Sequence, residues 1–214
     1  MITYLQPKKN IKPSHRKRMA DNEFLALFNE VEIDDCFDLK YFTLAEVDFE
    51  HVYKKLNLHR KQFKKHLTFR VRKIKSRYII GRYFYTKQTI IVAANARGMS
   101  AFIHELGHLI DYEWRGDGKM LSKQEFFKPL AEAYTANFKA LRRVGQRPSY
   151  FLDPSEIFAR CFELYVVRKF GGLTITAPYD NYTLEGNKAV YPMHNEEVLK
   201  LIDYYFDSLF TAEI

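Results

Sequence analysis

Cysteine is scarce in this chain: two, Cys36 and Cys161, among 214 residues, far apart and in no metal-type spacing. That excludes a disulfide framework and leaves both as reduced, semi-buried thiols. A metal site here has to be built from histidine and carboxylate. Long apolar runs are missing as well. None approaches the roughly 20 residues that span a bilayer, so no membrane partner is expected. The amino terminus, MITYLQPKKNIKPSHRKR, lacks the apolar stretch and small-residue cleavage site of a signal peptide, and a cytoplasmic location is the expectation. Internal repeats and low-complexity tracts are absent, and residues 1–20 contain no acid at all.

What is present is globular. Hydrophobic residues make up 47% and aromatics 16%, enough for a real core in one domain with at most a small appendage. The net charge of +8 is uneven. Residues 1–75 hold 17 Lys and Arg against 10 Asp and Glu, a balance of +7, and residues 76–214 hold 17 against 16, or +1. The excess lies in residues 8–18 and 60–75, which could contact nucleic acid, although a solvated basic face with no partner is the plainer and preferred explanation and no nucleic-acid module signature accompanies it.

Residues 1–20 read as a mobile basic start. Helical spacing follows at 22–31, through Phe24, Leu25, Leu27 and Phe28, and at 44–66, through Ala45, Phe49, Val52, Tyr53 and Leu56. LTFRVRKI alternates apolar and basic residues, as a half-exposed strand does. Two strands are expected at 78–85 and 88–93, with Thr86 and Lys87 at the turn. Helices are expected at 99–113, 122–143, 154–170 and 194–209, with a break at Gly116–Gly118. Strands followed by helices indicate α+β with a small, mostly antiparallel sheet. The expected division is a basic amino-terminal extension, 1–66, and a second unit, 67–214.

Within the expected helix at 99–113 stands HELGHLID, residues 104–111. Residues four apart share a helix face, so His104 and His108 can grip one ion, and Glu105 can act as base toward water on it. Such a pattern arises by chance on the order of once in a hundred chains of this kind. Its context is more specific: it follows a strand pair and is flanked by Phe102, Ile103, Leu106, Leu109 and Ile110, which would bury the helix. The plainer alternative is two hydrogen-bonded histidines on a core helix. Gly107 would let a neighbouring element approach closely. Asp111, on the same face, is placed to accept a hydrogen bond from a ligand imidazole. For a third ligand, spacing leaves Glu132 in PLAEAYTANF and Glu156 in DPSEIFARCFELY open. Asp153 and Pro154 announce the start of the helix that carries Glu156. Tyr78, Tyr83, Tyr85 and Tyr134 read as core or rim residues, and Glu163 as a structural partner rather than a catalytic group.

HELGHLID, PSEIFARCFELY, Tyr191–Pro192 and FDSLF at 206–210 together resemble, in order across roughly residues 78–210, the large polyvalent protein-associated domain of type 1, a zincin-like domain of phages and conjugative elements. More distantly, the chain is similar to the catalytic domains of anthrax lethal factor and Pro-Pro endopeptidases. The resemblance implies a zincin-like metalloprotease fold and a zinc metalloendopeptidase acting on a protein or peptide, encoded on a phage or mobile element. It makes Glu156 the third zinc ligand and Tyr150 the stabiliser of the substrate carbonyl. Arg160 stands where the toxin-type helix repeats an acid, and Tyr150 precedes Glu156 by six residues rather than seven. EAYTAN also resembles, faintly, the ligand helix of antirepressor-cleaving metalloproteases, which keeps Glu132 as an alternative. The strand at Thr89–Val92 is expected to pair with an extended substrate. The contrasting expectations are a zincin scaffold that binds without hydrolysing, and a nucleic-acid binder gripping through its basic first 75 residues.

Overall fold

Asp38 opens the first long helix by accepting the Lys40 N–H, and Asn57, in the left-handed region at φ 53°, follows its end. The computed structural model describes residues 5–61, 63, 65–75, 79–143 and 145–211. In chain order it contains α1 (Pro13–Ala20), β1 (Glu30–Ile33), α2 (Leu39–Lys55), β2 (Thr68–Arg72), β3 (Gly81–Phe84), β4 (Thr89–Ala93), α3 (Ala96–Met99), α4 (Phe102–Glu113), α5 (Lys128–Leu141), α6 (Pro148–Phe151), α7 (Pro154–Phe170), α8 (Tyr179–Thr183) and α9 (Glu196–Thr211). The class is α+β. Among the described residues no helix is long and apolar enough to cross a membrane.

The sheet runs β1-β2-β4-β3, with β1 and β4 parallel to β2 and β3 antiparallel to β4. The expected mostly antiparallel sheet is therefore corrected to a mixed one. Parallel neighbours need a long crossover, and α2 supplies it between β1 and β2. The helix expected over 22–31 is also corrected. Phe24 to Phe28 make one turn, closed by Phe28 N–H to the Phe24 carbonyl at 2.9 Å. Asn29 then exchanges hydrogen bonds with Leu67, at 2.8 Å through both its N–H and its side chain, and aligns 30–33 along β2. The helix expected over 44–66 starts earlier and stops at Lys55.

LTFRVRKI is not half-exposed. All five residues of β2 are buried, so Arg70 and Arg72 need counter-charges. Arg70 lies 3.7 Å from Glu30 and 3.6 Å from Glu32, and Arg72 pairs with Glu32. The amino-terminal stretch, expected to be mobile, is tied to acids from residue 8. Lys8 Nζ lies 3.0 Å from Asp34 and 3.1 Å from Asp35, the Lys12 N–H donates to Asp35 at 2.8 Å, and Arg18 pairs with Glu46. Of the two cysteines, both free, Cys36 is exposed and Cys161 fully buried, so neither is semi-buried.

Phe24, from the amino-terminal third, packs within 4.5 Å of Phe49, 4.8 Å of Phe69 and 5.2 Å of Phe102, measured between ring centroids. Aromatic contacts of this kind each add about 0.5–1.5 kcal/mol beyond area burial. This cluster joins α2, β2 and α4. Helix α4 also packs against α7, which in turn packs on α9.

Candidate metal centre

Helix α4 buries Phe102, Ile103, Leu106, Leu109 and Ile110, which turns His104 and His108 to the opposite side, their rings 4.9 Å apart and nearly perpendicular. Helix α7 supplies the carboxylate. Asp153 caps it by accepting the Ser155 N–H at 3.0 Å, Pro154 takes its first position, and Glu156 projects from the first turn. Gly107 permits the approach, since a Cβ there would stand 2.9 Å from Ala159 Cα. The small residue reads as expected.

His104 Nε2 lies 3.7 Å from Glu156 Oε2, and His108 Nε2 lies 3.6 Å from Oε1. One atom from each of the three side chains falls within 4.8 Å of the others. Donors bound about 2 Å from a common ion stand on the order of 3–4 Å apart, so two imidazoles and a carboxylate here can hold a divalent metal. The rings are anchored from behind. Glu163 Oε2 sits 3.4 Å from His104 Nδ1, and Ser155 Oγ sits 3.5 Å from His108 Nδ1. Glu163 is itself fixed by the hydroxyls of Tyr182, 2.7 Å, and Tyr191, 2.9 Å. With Nδ1 engaged, each Nε2 is left for the centre.

Charge follows the same geometry. Burial works against ionised Glu156, yet the His108 hydrogen bond and the Arg160 guanidinium outweigh it and bring the carboxyl down to about 2. Burial also works against protonated His104, but the Glu163 hydrogen bond leaves it raised. Glu105 is raised by burial, although both histidines pull it the other way. Its carboxylate rests against β3, where it accepts the Tyr83 backbone N–H and touches Gly81.

A cleft of about 530 Å³ opens over this group, lined by Gly81, Arg82, Tyr85, Tyr112 and Tyr150 besides the ligand candidates and Glu105. Tyr150, half exposed on α6, has its hydroxyl pushed up to about 12 by burial and by Glu156. Tyr85 stacks on Tyr112 at the rim, Tyr83 is buried and donates to Glu113 at 3.1 Å, and Tyr134 is a core residue bound to the Val190 carbonyl at 2.7 Å. Tyr78 lies outside the described residues.

Three expectations change. Glu132 is exposed on α5, in a separate groove with Lys128, Thr135 and Ile157, and does not join the histidines. Asp111 is bonded to Ser122 instead, accepting its N–H at 2.6 Å and its hydroxyl at 2.9 Å. It closes the turn after α4, and Ser155 takes the place beside His108. Strand β4 cannot accept an added strand, because β2 and β3 already pair with its two edges. The outer strand bordering the cleft is β3. The Ile80 carbonyl accepts the Ala93 N–H, so by antiparallel alternation the backbones of Gly81 and Tyr83 face outward.

Sequence reading missed Gly81, Ser155 and the His104 partner Glu163. A glycine inside a strand signals a close approach, and that sign was available for Gly81. Nothing local distinguishes Glu163 from a surface acid. Comparison of the chain with family models, with curated proteins and with solved structures finds no match.

Proposed function

We propose that this protein is a zinc-dependent metallopeptidase with a zincin-like fold. The observation that carries this reading is the convergence of His104, His108 and Glu156 within 4.8 Å, beside a buried glutamate and an edge strand. Zinc suits two imidazoles and a carboxylate, and when bound it would polarise a carbonyl and make water nucleophilic near neutral pH. Glu105 takes the proton of the attacking water and hands it to the leaving amine. Its burial and its Tyr83 N–H hold it at the floor of the cleft, where that transfer has to occur. The Tyr150 hydroxyl donates to the oxyanion as charge develops on the former carbonyl. The substrate is an extended peptide lying along the outward edge of β3.

The test pairs metal analysis with a peptide-library digest. Wild type and Glu132→Ala retain zinc at one equivalent, and Glu156→Ala loses it. Glu105→Gln retains zinc and cleaves nothing. Full cleavage by Glu105→Gln, or zinc retained by Glu156→Ala, rejects the assignment. The net charge of +8 favours a second reading, a nucleic-acid contact through residues 8–18 and 60–75. It has less to stand on, because Lys8, Arg18, Lys65, Arg70 and Arg72 are paired with acids of the same chain. Steep salt dependence of DNA binding would support it, and a flat response removes it.

A further inference from the structure

Arg160 is 3% exposed, and its guanidinium is the closest cation to Glu156. Nη2 donates to Glu156 Oε2 at 2.6 Å, and Nη1 donates to the Glu156 backbone carbonyl at 3.2 Å. One planar group therefore reads the main chain and the side chain of the same residue, one helical turn away. The rings of Tyr150 and Phe151 cover it, with centroids 5.1 and 4.9 Å from the guanidinium carbon. Tyr134 closes the remaining side; its hydroxyl donates to Val190, which leaves a lone pair for Arg160.

We infer that Arg160 is a positioning residue that limits Glu156 to single-oxygen coordination and ties this ligand to the Tyr150 segment. Oε2, which also lies 3.7 Å from His104 Nε2, accepts from Arg160 at 2.6 Å, which leaves Oε1, 3.6 Å from His108 Nε2 and free of the guanidinium, as the donor. A buried arginine next to a divalent ion also raises the local charge. Two neutral imidazoles and the Glu156 carboxylate leave an ion with one net positive charge, which Glu163 offsets from behind His104, and the buried guanidinium adds a positive charge on the Glu156 side. The centre therefore binds zinc less tightly than the same three ligands would alone. The cation–π stack makes α6 move with the ligand, so the distance between Tyr150 and the centre is set by one side chain.

This inference rests on His104, His108 and Glu156 being metal ligands, and the experiment separates the two. Zinc affinity is measured by chelator competition on the full chain, for wild type, Arg160→Gln and Arg160→Lys, with amide exchange followed at Tyr150, Phe151 and Leu152. Gln keeps a donor to Oε2 but deletes the charge, so its zinc affinity rises on the order of tenfold. Lys keeps the charge but loses the fork and the stack, so its affinity stays within about threefold of wild type. Exchange of these three amides speeds up in both. Equal or weaker zinc binding by folded Arg160→Gln overturns the proposal. Should that variant not fold, X-ray absorption on zinc-loaded wild type decides, with one carboxylate oxygen in the coordination shell expected and two overturning it. Wild type that binds no zinc ends the ligand assignment itself.

Discussion

Gly81 lies directly against Glu105: a Cβ at position 81 would stand 2.9 Å from Glu105 Oε1 and 3.1 Å from the Ala101 Cβ. The absent side chain of one residue is the room occupied by the carboxylate of the other. Backbone Tyr83, two residues along the same strand, holds that carboxylate by its N–H. Edge strand and candidate base are thus one mechanical unit. Gly81→Ala is expected to displace Glu105 while leaving both histidines and Glu156 untouched. Peptide cleavage should fall on the order of a hundredfold, with zinc content and melting temperature close to wild type, since displacements of about 1 Å carry such costs. Unchanged turnover in that variant would detach Glu105 from the chemistry.

Glu163 gathers three hydroxyl or imidazole partners, Tyr182, Tyr191 and His104, with side-chain exposure of only 4%. Replacing it by Gln leaves the volume but exchanges one acceptor for a donor and removes the charge facing His104. Zinc affinity should drop about 10–100-fold, as is usual when the partner of a ligand histidine is lost. Tyr182→Phe removes one of the hydrogen bonds and should cost less. Calorimetric zinc titration checks both, and a Tyr182→Phe effect larger than that of Glu163→Gln would contradict the hierarchy.

Asp111 is fully buried, and burial pushes its carboxyl up to about 6 although the Ser122 N–H and hydroxyl pull it down. The folded chain therefore holds a proton there that the unfolded chain, with its ordinary 3.8, has already released. Between about pH 4 and 6 the folded state binds more protons, so stability falls as pH rises through that window, by at most about 3 kcal/mol from this group. Asp111→Asn still accepts the Ser122 N–H and can donate to its hydroxyl. Urea unfolding should find it about 1–3 kcal/mol more stable than wild type at pH 7.5 and nearly equal at pH 4. A variant less stable at pH 7.5 would show that the charged carboxylate is needed.

Short-range order was readable wherever the partners lie within one or two helical turns. HELGH put both histidines on one face because four residues make about one turn, and Asp153–Pro154 marked the start of α7 because a cap acts within its own turn. Gly107 advertised the close helix contact by having no side chain. The α+β class followed from the succession of periods. Even the misread stretch at 22–31 contains the turn that Phe24, Leu25, Leu27 and Phe28 encode.

What no local pattern could supply is the identity of partners distant in sequence. β1 became a strand because β2 offered it a parallel edge, and the arginines of β2 went inside because Glu30 and Glu32 arrived opposite them. Choosing Glu156 over Glu132, seating Glu163 behind His104, and pairing Asp111 with Ser122 depended on how α4, α5 and α7 pack. Periodicity records which face of an element is apolar; it carries no information on which other face will meet it. The chain itself determined the donors that a metal would need, and packing alone decided which of them converge.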